Sequence, residues 1–179
     1  IGDAYQDLNQ WDKAVEVYYK ILKDYPESIY ADYVQYREGI ALLKLGKIES
    51  ATLTFQSLQQ NFPNSKYLGD IDYYLGVAYF KKNDWTAAVK YIDSFLKNPN
   101  HPADFMPEAN YVLALSYLNS QKTDEAMKIF QKIIKLYPGD LPVIRNSEAG
   151  IARAYHQLGQ DKEAVKRFKL IIYKYPNTE

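Results

Sequence analysis

The sequence predicts an all-α fold, a right-handed superhelical solenoid of antiparallel helix pairs. Three observations carry that expectation. A small residue recurs at Gly2, Gly39, Gly76, Ala114 and Ala152, with spacings of 37, 37, 38 and 38. A second series of alanines recurs at Ala14, Ala51, Ala88, Ala126 and Ala164. Proline then closes a unit at Pro26, Pro63, Pro138 and Pro176. Self-similarity at such a period marks stacked repeats, each of which buries its apolar face only against its neighbours. Residues 1–179 are therefore expected to form a single array, with units at about 1–28, 29–65, 66–102, 103–140 and 141–179 and the first unit lacking most of its first helix.

Each unit reads as two helices around a turn. In the first helix the small residue is followed three positions later by Tyr5, Leu42, Tyr79, Tyr117 or Tyr155. Small residues let two helix axes approach closely, and the larger ones fill the space beside that contact. Asn9, Gly46, Asn83, Gln121 and Gly159 mark the turn, since Gly and Asn tolerate a left-handed helix end. Asp12, Asp84, Thr123 or Asp124, and Asp161 are the expected caps of the second helix. That helix carries Tyr18, Phe55, Ile92, Phe130 or Phe168 four residues after its alanine, with Ile21, Leu58, Phe95, Ile133 or Ile171 three further on. Phe130 and Phe168 are both expected to be buried. Proline ends each unit because it cannot continue a helix. The third unit departs from this rule: Asn100 holds the slot, in a proline-rich joint from Asn98 to Asp104.

Composition excludes several functions. The 22 basic residues balance the 22 acidic ones, which removes the basic face that nucleic-acid binding requires. There is no cysteine, hence no disulfide and no thiolate chemistry. Mean hydropathy is −0.44, and no apolar run approaches the ~18 residues of a membrane span, so direct membrane insertion is not expected. Of the two histidines, His101 is expected to be solvated in its joint. His156 is placed far in sequence from any acidic partner. No residue cluster suits a metal, a nucleophile and base, or a phosphate, so the reading is non-enzymatic, with no catalytic, cofactor-binding or metal site. Tyrosine stands out at 18 residues, a type enriched where a surface is both packed and used for contact.

The pattern Leu75-Gly76, Tyr79, Ala88, Ile92 resembles the tetratricopeptide repeat (TPR) family, with Asp72 in place of its tryptophan. The family period is about 34 residues, and the extra residues here fall after the proline. Joints such as Tyr25-Pro26-Glu27-Ser28 and Phe62-Pro63-Asn64-Ser65 resemble those of TPR proteins of the bacterial cell envelope, such as the barrel-assembly lipoprotein and the Tol-Pal coordinator. The narrower resemblance favours periplasm or cell envelope over cytoplasm.

What the family resemblance implies is a non-catalytic protein–protein interaction scaffold. Its first helices line a concave groove that takes a peptide segment or partner helix. Carried over, the groove face holds Tyr33, Tyr36, Ile40 and Leu43, then Tyr73, Val77, Phe80 and Lys81, then Tyr111, Leu115 and Leu118, with Arg153 and His156 as a polar end. Tyr36, Tyr73 and Tyr111 share one slot and are expected to form a ladder. The same tyrosines also fit a purely structural role, packed against neighbouring helices of a spacer or oligomerisation segment. The family's carboxylate clamp is not expected, because Tyr36, Ile40, Tyr74 and Asp70 stand where cations are needed. Both ends of the array read as open, which implies flanking chain or self-association through those ends.

Overall fold

The computed structural model describes residues 1–99 and 101–176, and among these every regular element is helical. The chain divides into two compact units, Ile1–Asn83 and Asp84–Glu179. The first contains α1 (Gly2–Asp7), α2 (Trp11–Asp24), α3 (Ala31–Lys44), α4 (Ile48–Asn61) and α5 (Leu68–Lys81), each packed on the next. The second contains α6 (Trp85–Lys97), a 3-10 turn (Ala103–Phe105), α7 (Met106–Asn119), α8 (Thr123–Leu136), α9 (Leu141–Gln157) and α10 (Asp161–Lys174). Its α-helices likewise pack in succession.

All five expected turn residues take the left-handed conformation: Asn9, Asn83 and Gln121 at φ of 55°, 60° and 65°, and Gly46 and Gly159 at 72°. That conformation lets two backbone amides reach back into the ending helix. Gly46 N donates to Leu43 O (3.1 Å) and Lys47 N to Leu42 O (2.9 Å), and the same pair of bonds recurs at Asn9–Gln10, Gln121–Lys122 and Gly159–Gln160. Lys47 is then also the N-cap of the next helix, as are Gln10, Lys122 and Gln160.

This double duty corrects the expected caps. Asp12, Thr123, Asp124 and Asp161 lie inside the first helical turn, one or two residues past the cap, where the acidic ones favour the helix dipole instead. Asp84 does cap, accepting from Ala87 N at 3.0 Å, and so does Asp140 at the start of α9, accepting from Val143 N at 3.0 Å.

The closing prolines sit second in a four-residue turn. Tyr25 O accepts from Ser28 N (3.1 Å), Phe62 O from Ser65 N (3.0 Å) and Tyr137 O from Asp140 N (3.1 Å). The third unit keeps the device. Asn98 O accepts from His101 N (3.2 Å), so Pro99 takes the place of the closing proline, one position early. Asn100 lies outside the described residues. His101 is half-buried rather than solvated: its ring packs 5.3 Å from that of Phe95, and its Nδ1 is buried with no hydrogen-bond partner among the described residues.

Core packing follows the small-on-large logic. A Cβ at Gly2 would fall 2.4 Å from the Tyr18 ring, and one at Gly39 2.4 Å from the Phe55 ring. Between successive pairs, a Cβ at Gly150 of α9 would fall 2.4 Å from the Phe130 ring of α8. Phe55, Phe95 and Phe130 are fully buried. Phe168 is not, at 38 % exposure, because among the described residues no helix covers the far side of α10. Phe130→Ala should therefore cost about 3–5 kcal/mol, whereas Phe168→Ala should cost closer to 1 kcal/mol. Urea denaturation of the two variants, compared at equal slope, checks the difference.

One first-helix slot breaks the pattern. The residue before the small position is buried Leu75, Leu113 and Ile151 in three units, but Glu38 in the second. Glu38 is half-buried, and burial pushes its carboxyl up to about 7. A raised carboxyl favours the fold while protonated. Its contribution is complete below the ordinary value of 4.5 and is lost as the pH rises through about 7. Glu38→Leu should gain about 1–2 kcal/mol over the wild type at pH 8, discounting for partial solvation, and much less at pH 5. Equal gains at both pH values would show that burial does not perturb Glu38.

Candidate partner-binding faces

In the first unit the expected face lies on α3 and α5, and its tyrosines are tied into internal networks. Tyr33 donates its hydroxyl to Asp3 Oδ2 (2.7 Å), Tyr18 donates to Asp3 Oδ1 (2.6 Å), and Arg37 Nε donates to the same Oδ1 at 3.0 Å. Burial opposes the charge on Asp3, but the two tyrosine hydroxyls and Arg37 outweigh it and hold the carboxyl below its ordinary value. Tyr36 donates to Asp70 Oδ2 at 2.7 Å. At Asp70 burial wins, and its carboxyl is raised despite that bond.

The rings form a cluster. Tyr36 stacks on Tyr67 with centroids 4.8 Å apart and meets Tyr74 edge-on at 5.9 Å. Tyr74 stacks on Phe55 at 5.5 Å, and Tyr73 meets Tyr74 edge-on at 5.2 Å.

The exposure expected of the groove face fails at three positions. Tyr36 and Leu43 are buried in the first unit and Leu118 in the second. The cause is the close approach of neighbouring helices, which seals these slots: Tyr36 is enclosed by Tyr67 and Tyr74, and Leu118 belongs to the core cluster with Phe130 and Ile151. Tyr33, Ile40, Tyr73, Val77 and Phe80 remain half-buried, and Lys81 is exposed.

In the second unit the face lies on α7 and α9. Tyr111 and Leu115 are half-buried on the core cluster, with the Tyr111 ring 6.0 Å from that of Phe130. Burial raises the Tyr111 phenol, and the positive charge of Arg153 partly offsets this. Arg153 and His156 are exposed. His156 has an acidic partner after all: its Nδ1 lies 2.6 Å from Asp161 Oδ1, five residues on, because the turn after α9 folds α10's first residue back beside it. Tyr36 and Tyr73 belong to one unit and Tyr111 to the other, so the ladder remains an expectation. Among the described residues no group of three or more His, Cys, Asp or Glu is placed to hold a metal ion, and no helix is long and apolar enough to cross a membrane.

The repeat register and these faces can be set against known proteins. A family profile described as YfiO, outer membrane lipoprotein, matches residues 31–179, and a tetratricopeptide repeat profile matches residues 1–28. The chain belongs to the YfiO family. No curated protein sequence matches this YfiO-family chain. Among solved structures, one of MamA is 24% identical, with a TM-score of 0.76 over 98% of this chain and 95% of that one. A MamA RS-1 double mutant is 16% identical, with a TM-score of 0.77 over 100% and 94%. TPR-like repeats of a Podospora anserina kinesin light chain are 17% identical, with a TM-score of 0.72 over 99% and 93%. These likenesses establish the helical-repeat solenoid fold of the TPR type.

Sequence reasoning missed the Asp3–Tyr18–Tyr33–Arg37 network of this YfiO-family chain. Its members lie up to 34 residues apart, and no local pattern pairs them. A depressed carboxyl contributes stability above its ordinary value of 3.8 and loses it as the pH falls through its folded value. Asp3→Asn should therefore cost about 1 kcal/mol at pH 7, allowing for the partly exposed carboxylate. The gap to wild type should close below pH 3.8, as read by denaturation at a series of pH values.

Proposed function

We propose that the chain is a non-catalytic protein-interaction scaffold of the bacterial cell envelope, and that its first-helix faces grip a peptide segment or partner helix. The observation that carries this is the stripe Tyr73, Val77 and Phe80 on α5. These three recur at helical spacing and are half-buried rather than sealed, with Lys81 exposed beside them. Apolar side chains that stay accessible on a rigid helix offer contact area at low entropic cost. Repeat arrays build extended binding surfaces from such faces. Ile40 and Tyr33 would extend this stripe in the first unit. Tyr111 and Leu115, with the polar Arg153 and His156, would supply the face of the second. The envelope setting rests on the family's description as an outer membrane lipoprotein.

A structural role is favoured at two of the tyrosines. The hydroxyls of Tyr33 and Tyr36 are occupied by Asp3 and Asp70, and so serve the scaffold. The binding reading therefore centres on Tyr73 and Tyr111. The double variant Tyr73→Ala, Tyr111→Ala should lose the partners that the wild type captures from envelope extract, while its helical content stays that of the wild type. Arg153→Glu, a change at an exposed residue, should weaken capture of acidic partners without affecting stability. Undiminished capture by the double variant would reject these faces as the site.

A further inference from the structure

The last helix departs from the four earlier second helices on its outer side. Six residues after the second-helix alanine those helices carry Lys20, Ser57, Ser94 and Lys132, and nine residues after it Lys23, Gln60, Lys97 and Lys135. α10 carries Leu170 and Tyr173 at these two places, and they are 56 % and 86 % exposed. The places are not seam positions. In α8, which is packed between α7 and α9, Lys132 and Lys135 are both exposed. The exposure of Leu170 and Tyr173 thus differs in kind from that of Phe168, whose counterparts are covered by the next helix.

A cleft between α9 and α10 and an open helix surface meet at Leu170. The cleft, of about 360 Å³, is lined by Glu148, Arg167, Leu170, Ile171, Tyr173 and Lys174. Next to it runs the open outer surface of α10, formed by Lys162, Val165, Lys166, Lys169 and Leu170. The surroundings are strongly basic for a chain of zero net charge. α10 carries Lys162, Lys166, Arg167, Lys169 and Lys174 against Asp161 and Glu163. The carboxylates nearby are already engaged: Glu148 with Lys174 (2.7 Å), Glu163 with Arg167 (2.9 Å) and Lys166 (3.8 Å), and Asp161 with His156 (2.6 Å). Lys162 and Lys169 have no ion-pair partner among the described residues.

We propose that this outer face of α10 is a second docking site, separate from the first-helix faces, and that its occupant is an acidic protein segment. An aliphatic or aromatic anchor of that segment would seat beside Leu170 and Tyr173, and its carboxylates would meet Lys162 and Lys169. An apolar anchor in a concavity within a charged rim is the arrangement that concentrates binding energy at protein interfaces. The rim's sign selects the partner by steering and by rejecting cationic segments. A cleft between α9 and α10 that is large enough for a side chain favours a peptide over a lipid surface.

The test is selection of a random twelve-residue peptide library on the 179-residue chain, with winners re-measured on Leu170→Lys, Tyr173→Lys. That double variant restores the residues that α8 carries at the same places and should fold normally, as checked by its melting curve. The expected winners are rich in Asp and Glu around one apolar anchor. They should bind the double variant at least tenfold more weakly and Tyr73→Ala, Tyr111→Ala as well as they bind wild type. No enrichment, neutral or basic winners, or winners indifferent to the double variant would overturn the proposal. So would sedimentation of the wild type, but not the double variant, with phosphatidylglycerol vesicles in the absence of peptide selection, which would assign the face to a membrane instead.

Discussion

The fold depends on one contact repeated along the chain, a residue without a side chain laid against an aromatic ring. Where Gly2 and Gly39 meet Tyr18 and Phe55 within a pair, and Gly150 meets Phe130 of the preceding pair, even a methyl group would intrude. The ring lies where the glycine leaves room, which fixes the distance between helix axes. Everything else is arranged around that spacing. Alanines at 14, 51, 88, 126 and 164 are buried because the helices are too close for anything larger. The tyrosines of α3 and α5 are pressed into one another for the same reason, and their hydroxyls must find partners inside the protein, which Asp3 and Asp70 provide.

That proximity also divides a first-helix face into sealed and accessible residues. Tyr36 shares its slot with Tyr73, and Leu43 and Leu118 lie two turns past that slot on the same face, yet all three are lost to solvent. Periodicity reports the direction in which a side chain leaves its helix. It does not report how far a neighbouring helix leans over it. The fold was therefore nearly all legible: the slots, the left-handed turn residues and the closing prolines are local features with local causes. The candidate site was legible only as a face. Which of its members stay accessible depends on contacts between residues tens of positions apart, such as Tyr36 with Tyr67 and Asp70.

The misplaced caps and histidines show the same boundary. Asp12 and Asp161 are chemically good caps, and only the bond from the following amide to the end of the previous helix reveals that the cap place is already taken by Gln10 and Gln160. His156 seemed isolated in sequence because a five-residue gap that contains a turn is short in space. His101 seemed solvated because its neighbours are prolines, whereas the turn closed by Asn98 directs it onto Phe95.

The turn within four of the pairs, where one residue closes the first helix and opens the second, leaves no slack. Lys47 is at once the end of α3's hydrogen bonding and the start of α4's, and Gln10, Lys122 and Gln160 act likewise. An inserted or deleted residue there would rotate the second helix about its axis and turn its alanine away from the seam. The joint after each proline carries no such double constraint. Accordingly, Gly2 to Ala14, Gly39 to Ala51, Gly76 to Ala88, Ala114 to Ala126 and Ala152 to Ala164 are equally spaced, and the change of period from 37 to 38 falls outside them. Length variation in such an array is thus channelled to the joints, which are free to diverge into new recognition loops while the pairs stay fixed as rigid bricks.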